Sequence, residues 1–185
     1  MSKEQIQNIM IIAAANGDIK TYERLEKKLA GMNKTILGID VGIHGALAFY
    51  DVEELIIFDM PVLGRNKTSR VDGHRLAQII EVQKPDMAMI EQVNAFGMGA
   101  TSAYNFGWNC GSLEGVLSAM QVPFEYVTPQ RWKAVMNCPK DKDGARMKAS
   151  QLLPQFAHNW PLKKHDGRAE ATLIALYGNN LSSAP

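Results

Sequence analysis

The sequence predicts an α/β fold, a mixed five-stranded sheet flanked by helices, and three observations carry that expectation. Short apolar runs at 36–40, 45–51 and 54–58 follow one another across short turns, the pattern of an antiparallel meander. Helically spaced stretches at 73–83 and 101–120 then alternate with two further apolar runs at 86–91 and 124–127, the pattern of crossover connections. The C-terminal third, at 129–136, 143–156 and 168–179, reads as helices, the last of them ending near Gly178. Between the third and fourth strands, 64–70 reads as a polar, basic loop.

A chain of 185 residues with 46% hydrophobic residues can bury one core and suits one principal domain, placed here at 34–180. Residues 1–33 read as a helical extension, two short helices broken near Asn16-Gly17-Asp18 with Gly31 as a C-terminal stop, and 181–185 as a tail. The apolar stretch 9–15 is too short to span a bilayer, so no membrane crossing is expected. Cys110 and Cys138 lack CxxC spacing, which indicates neither a disulfide framework nor a structural zinc site and leaves reduced cytosolic thiols as the ordinary reading. A net charge of +1 leaves partners to be judged from charge distribution. Gly107, Gly111 and Gly115 recur every four residues and form a small-residue ridge along one helix. Each helical glycine costs up to about 1 kcal/mol relative to alanine, so the ridge implies close packing, against the sheet or against a second subunit.

Four acids stand where chemistry gathers in α/β folds. Asp40 closes an apolar strand and is followed by Gly42 and Gly45, and Glu91 closes Met87-Ala88-Met89-Ile90 before a loop with Gly97 and Gly99. Asp166 and Glu170 lie four apart, on one face of the last helix, among Ala169, Ala171, Leu173, Ile174 and Ala175. Taken singly, each has an ordinary reading: a turn residue, a solvated strand end, a helix N-cap, an exposed helix face. Taken together they can converge, and converged carboxylates raise one another's pKa unless a cation is present. Magnesium, a hard ion that takes oxygen ligands and keeps several waters, fits such a set. Two ions would activate a water and stabilise a leaving 3′-oxygen, the chemistry of phosphodiester hydrolysis.

Ile36-Leu37-Gly38-Ile39-Asp40-Val41-Gly42, Met89-Ile90-Glu91-Gln92-Val93 and His165-Asp166-Gly167-Arg168-Ala169-Glu170-Ala171 resemble, in order and spacing, the RuvC-type Holliday junction resolvases of the RNase H-like superfamily, bacteriophage forms most closely. Phe124-Glu125-Tyr126-Val127-Thr128-Pro129 with Trp132-Lys133 adds to the resemblance, which covers about 34–179. It implies an RNase H-like nuclease domain and a structure-selective endonuclease that resolves four-way junctions and other branched DNA. It further implies symmetric nicks from a homodimer, magnesium or manganese as cofactor, and, for a phage protein, the host cytoplasm. Carried over by position, Asp40, Glu91, Asp166 and Glu170 are the catalytic metal ligands. The last two acids are four apart with glutamate second, where bacterial members have three and aspartate, so the third ligand is His165 or Asp166. Asn94 stands where bacterial members carry a junction-wedging aromatic, leaving Phe96 as a substitute wedge or a buried loop anchor. For phosphate contacts the resemblance points to Arg65, Lys67, Arg70, Arg131, Lys133, Lys140, Lys142, Arg146, Lys148 and His165, with Lys133 and Lys142 on the active-site side.

Other readings compete with this one. Gly38-Ile39-Asp40-Val41-Gly42 also resembles the first phosphate loop of actin-like ATPases, but the chain has no second such motif and is short for two lobes. A nuclease for RNA–DNA hybrids would need the same acids, and a junction-binding protein without catalysis is the third possibility.

Overall fold

The computed structural model describes residues 3–32, 34–64, 69–94, 97–139 and 143–182. In chain order the elements are α1 (Lys3–Ala15), α2 (Ile19–Met32), β1 (Ile36–Asp40), β2 (Ala46–Tyr50), β3 (Leu55–Asp59), β4 (Val62–Leu63), β5 (Arg70–Val71), α3 (Gly73–Gln83), β6 (Met87–Glu91), α4 (Ala100–Ala119), β7 (Phe124–Val127), α5 (Pro129–Val135), α6 (Gly144–Leu152) and α7 (Asp166–Ser182). The main sheet has the order β3-β2-β1-β6-β7. β1, β2 and β3 form the expected antiparallel meander, while β6 runs parallel to β1 and β7 parallel to β6. The predicted mixed five-stranded sheet flanked by helices is therefore the observed one.

Because side chains alternate across a strand, each central strand feeds two cores. Leu37, Ile39, Leu47, Phe49, Ala88 and Ile90 face α3 and α4, where they meet Leu76, Ile79, Ile80, Leu113 and Leu117. Ile36, Ala46, Ala48 and Met89 face the other way, toward Trp132 of α5, Ala145 and Ala149 of α6 and Ala171, Ile174 and Ala175 of α7. The same parity carries outward to the strand ends. Asp40 lies four residues after Ile36 and Glu91 two after Met89, so both carboxylates emerge on the face that α7 covers.

α7 lies directly on β1 because Gly38 has no side chain. A Cβ there would sit 2.1 Å from the Ala171 carbonyl oxygen and 2.4 Å from the Ala175 nitrogen. Gly178 repeats the device lower down, where a Cβ would meet Met89 Cγ at 2.6 Å and Ile36 Cγ2 at 2.9 Å. Gly178 is thus a packing residue inside the helix, which continues to Ser182 instead of stopping there. α7 also begins at Asp166, two residues before the expected start.

Three further boundaries depart from expectation. The helix expected over 143–156 ends at Leu152, since Pro154 has no N–H to donate and disfavours a helical Leu153; residues Pro154–Asn159 wind into a 3-10 turn. α2 runs through Gly31 to Met32. The flanks of the expected basic loop pair as the small hairpin β4–β5, fixed to α4 by the buried Asn109, whose Oδ1 accepts the Val71 N–H at 3.0 Å. The glycine ridge does not pack on the sheet: a Cβ at Gly107, Gly111 or Gly115 would meet nothing within 4 Å, because α4 turns Leu113 and Leu117 inward instead. α1 and α2 pair through Ile6, Met10 and Leu25, with Tyr22 and Leu29 against them. Among the described residues no helix is long and apolar enough to cross a membrane.

The contact at Gly38 yields a stability prediction. Gly38→Ala drives a methyl into backbone that cannot yield and should lower the unfolding free energy by about 3 kcal/mol or more, read from urea denaturation by circular dichroism. A loss within about 0.5 kcal/mol would mean that α7 does not lie this close to β1.

Candidate metal centre

Parallel pairing of Ile39 with Ile90 brings the carboxyl ends of β1 and β6 side by side, and with them Asp40 and Glu91. α7 crosses above, and Glu170, in its second turn, completes a cluster: one ligand oxygen from each of the three acids lies within 4.8 Å of the others. Two glycines make the approach possible. A Cβ on Gly45 would fall 2.1 Å from the Asp40 carbonyl oxygen, and one on Gly167 would fall 2.8 Å from Asp40 Oδ2 and 2.9 Å from the His44 carbonyl oxygen. The first turn of α7 therefore rests against the Asp40 side chain with no space for a methyl group.

The cluster is electrostatically strained. Burial, then the charges of Glu170, Glu91 and Asp166, push the Asp40 carboxyl well above the usual carboxylate range, against which Lys133 pulls weakly. Burial also raises Glu91; the Trp132 hydrogen bond and Lys133 oppose it, and Glu170 adds to it. Trp132, fully buried, donates from Nε1 to Glu91 Oε1 at 2.9 Å. Lys133 Nζ donates to Glu170 Oε1 at 2.8 Å and lies 5.0 Å from the centre of the Trp132 ring. Burial alone would lower the Lys133 ammonium, but the bond to Glu170 and the charges of Glu170 and Glu91 hold it above the ordinary lysine value. Among the described residues, one cation, Lys133, stands against the three carboxylates, which leaves net negative charge facing inward. An all-oxygen donor set of this kind fits a hard divalent ion.

Asp166 lines the same cleft as Asp40 and Glu170, outside the converged trio, and its Oδ1 accepts the Gly167 N–H at 3.1 Å. His165 does not line the cleft; its Nδ1 takes the Leu162 N–H at 3.4 Å. The cleft, about 690 Å³, is also lined by Thr101, Asn105 and Asn109 of α4 and by His44 and Ser69. This polar row recurs every four residues along α4, a helical signal legible in the sequence but not among the expected site residues. A second feature outside those expectations is Arg168, which grips Asp59 at the end of β3 through Nε–Oδ1 at 2.6 Å and Nη2–Oδ2 at 2.7 Å, and the Asn159 carbonyl through Nη1 at 3.1 Å. That fork pins the start of α7, and its hydrogen bonds hold Asp59 below the ordinary aspartate value.

The described basic residues are dispersed. Arg70 and Arg131 are exposed, Arg70 standing 5.7 Å over the Trp108 ring. Arg146 pairs with Asp143, Lys148 Nζ donates to Gln151 Oε1 at 3.5 Å, and Lys133 is engaged inside the cluster. Arg65, Lys67, Phe96, Lys140 and Lys142 lie outside the described residues.

Sheet order, strand directions and the covering C-terminal helix together define an RNase H-like fold. The comparison with solved structures agrees. RuvC of Thermus thermophilus, in complex with a Holliday junction substrate, superposes with a TM-score of 0.58 at 17% identity over 82% of this chain and 98% of that one. A second structure of Thermus thermophilus RuvC gives a TM-score of 0.53 at 18% identity, covering 81% of this chain and 98% of that one. No protein-family sequence model and no curated protein sequence matches the chain.

The strained Asp40 implies a pH-dependent stability with a definite sign. A carboxyl raised in the folded state keeps its proton where the unfolded chain has released it, so metal-free stability is present at low pH and lost as pH climbs toward the raised pKa. In EDTA, Asp40→Asn should therefore melt higher than the wild type at about pH 8, and the difference should shrink toward about pH 5. Thermal melts checked by circular dichroism test this; a difference independent of pH would contradict it.

Proposed function

We propose that the chain is a metal-dependent, structure-selective endonuclease that hydrolyses phosphodiester bonds in branched DNA, four-way junctions above all. The observation that carries the reading is the convergence of Asp40, Glu91 and Glu170 at the strand ends of an RNase H-like sheet. Asp40, Glu91 and Glu170, with Asp166 beside them in the cleft, would hold magnesium, two ions per site, with manganese able to substitute. Magnesium, when bound, supplies Lewis acidity, easing deprotonation of water and stabilising charge at the leaving 3′-oxygen. The protein groups do the rest. Carboxylates on β1, β6 and α7 are held rigid by packing, the α4 wall confines the strand in the cleft, and Lys133 balances part of the acidic charge. Arg65, Lys67, Arg70, Arg131, Lys140, Lys142, Arg146, Lys148 and His165 are proposed to carry phosphate contacts, and Phe96 to wedge at the branch point. Thermus thermophilus RuvC, which shares the fold, is seen in complex with a Holliday junction substrate, and this supports the choice of branched DNA over RNA–DNA hybrid.

We take the nuclease domain to span 34–180, with a homodimer delivering two sites to opposing strands. The α4 ridge supports this assembly, since Gly107, Gly111 and Gly115 face open space beside the exposed Tyr104 and Trp108. Such a face admits a second backbone at close range.

Incubation of a labelled four-way junction, a matched duplex and an RNA–DNA hybrid, with and without magnesium, tests the activity. Symmetric magnesium-dependent nicks in the junction are expected; cutting of the hybrid alone would transfer the protein to a different substrate class. Asp40→Asn, Glu91→Gln, Asp166→Asn and Glu170→Gln should each reduce cutting by at least about 100-fold and leave junction binding largely intact. Sedimentation at micromolar concentration should give a dimer. Gly111→Arg, which the isolated fold accommodates, should give a folded monomer; a variant that remains dimeric would remove α4 from the interface.

A further inference from the structure

Trp132 stands out among the buried residues because its one polar atom is spent on a carboxylate of the cluster. Its ring is fully buried, its indole N–H reaches Glu91 Oε1 at 2.9 Å, and 41 residues separate the two in sequence. Local structure determines where the indole goes. β7 pairs with β6 so that Val127 lies opposite Glu91, and the Gln92 N–H donates to the Val127 carbonyl at 2.8 Å. α5 starts immediately afterwards, capped by Thr128, whose Oγ1 takes the Arg131 N–H, with Pro129 in the first turn. This short, well-capped helix places its fourth residue over the Glu91 side chain. The next residue, Lys133, holds Glu170 at 2.8 Å. Two consecutive side chains of α5 thus hold two of the three clustered acids, which come from two other elements.

We propose that Trp132 is a positioning residue for the metal centre: its indole N–H fixes the orientation of the Glu91 carboxylate and so sets how tightly the cluster takes a divalent ion. A carboxylate among other carboxylates tends to swing away from them, and Glu91 has no room to be steered by solvent at 7% exposure. A rigid donor on a buried ring prevents that swing. A hydrogen bond to a metal-ligating group from just outside the site commonly governs affinity, and losing one costs roughly 10–100-fold. An apolar aromatic would fill the same space without fixing the carboxylate. The inference rests on the reading of the acids as a magnesium site.

The test uses the full-length chain labelled with 15N at its tryptophan indoles and titrated with magnesium alone. The Trp132 indole resonance, identified by its disappearance in W132F, should shift on titration. The Trp160 resonance is the internal control, because Trp160 is also buried but donates to Ser150 Oγ at 2.8 Å, and it should stay in place. Calorimetry should give W132F a magnesium affinity at least about 10-fold below wild type, with kcat for junction cleavage reduced at saturating junction and KM little changed. Should W132F fail to fold, W108F and W160F identify the Trp132 resonance by elimination among the three tryptophans, and the wild-type titration still decides. Magnesium binding by the wild type with an unmoved Trp132 resonance would overturn this role while leaving the metal centre standing. No magnesium binding by the wild type would overturn both.

Discussion

The direct seating of α7 on β1 is the contact on which the rest of the molecule depends. Gly38 removes the side chain that would hold the helix off the sheet, and Ala171 and Ala175 supply the small surface that fills the gap. With the helix at that height, Gly167 clears the Asp40 carboxylate and Glu170 arrives within ligand distance of Asp40 and Glu91. A side chain at either glycine would lift or tilt α7 and separate the acids. The core and the site are therefore one packing solution, and the site's geometry inherits the rigidity of a close-packed interior.

That geometry sets electrostatics against packing. The same approach that brings the carboxylates together strips them of water and exposes each to its neighbours' charge, which is why Asp40 and Glu91 are both held above their ordinary values. Among the described residues, Lys133 on Glu170 and Trp132 on Glu91 offset only part of the cost. Arg168 acts mechanically, tying the start of α7 to Asp59 on the edge strand so that the helix cannot relax outward. A divalent cation placed among the three acids would relieve that strain.

What the sequence made legible, and what it hid, follows from the range of the forces involved. Asp40 and Glu91 stood out because an apolar run that ends in an acid is a local pattern, and the period of two along β1 and β6 then assigns both to one face. Asp166 and Glu170 were legible as a pair for the analogous helical reason, though only Glu170 joins the converged trio. Partnerships across the chain left no local trace: Trp132 with Glu91, Lys133 with Glu170, and Arg168 with Asp59, the last 109 residues apart. Gly178 misled as a helix stop because an interior glycine is intrinsically costly, and only contact with Met89 and Ile36 explains its place. Pro154 carried a breaker signal that does cut the helix expected over 143–156.

The most direct test of the proposed metal centre is calorimetric titration of manganese into the metal-free chain in buffers of differing ionisation enthalpy. Binding that releases protons, because the ion displaces those retained by the raised carboxyls, is the expected result, together with loss of binding in Glu91→Gln and Glu170→Gln. Equal, weak binding by the wild type and both variants, without proton release, would mean that the acids converge for some purpose other than holding a metal.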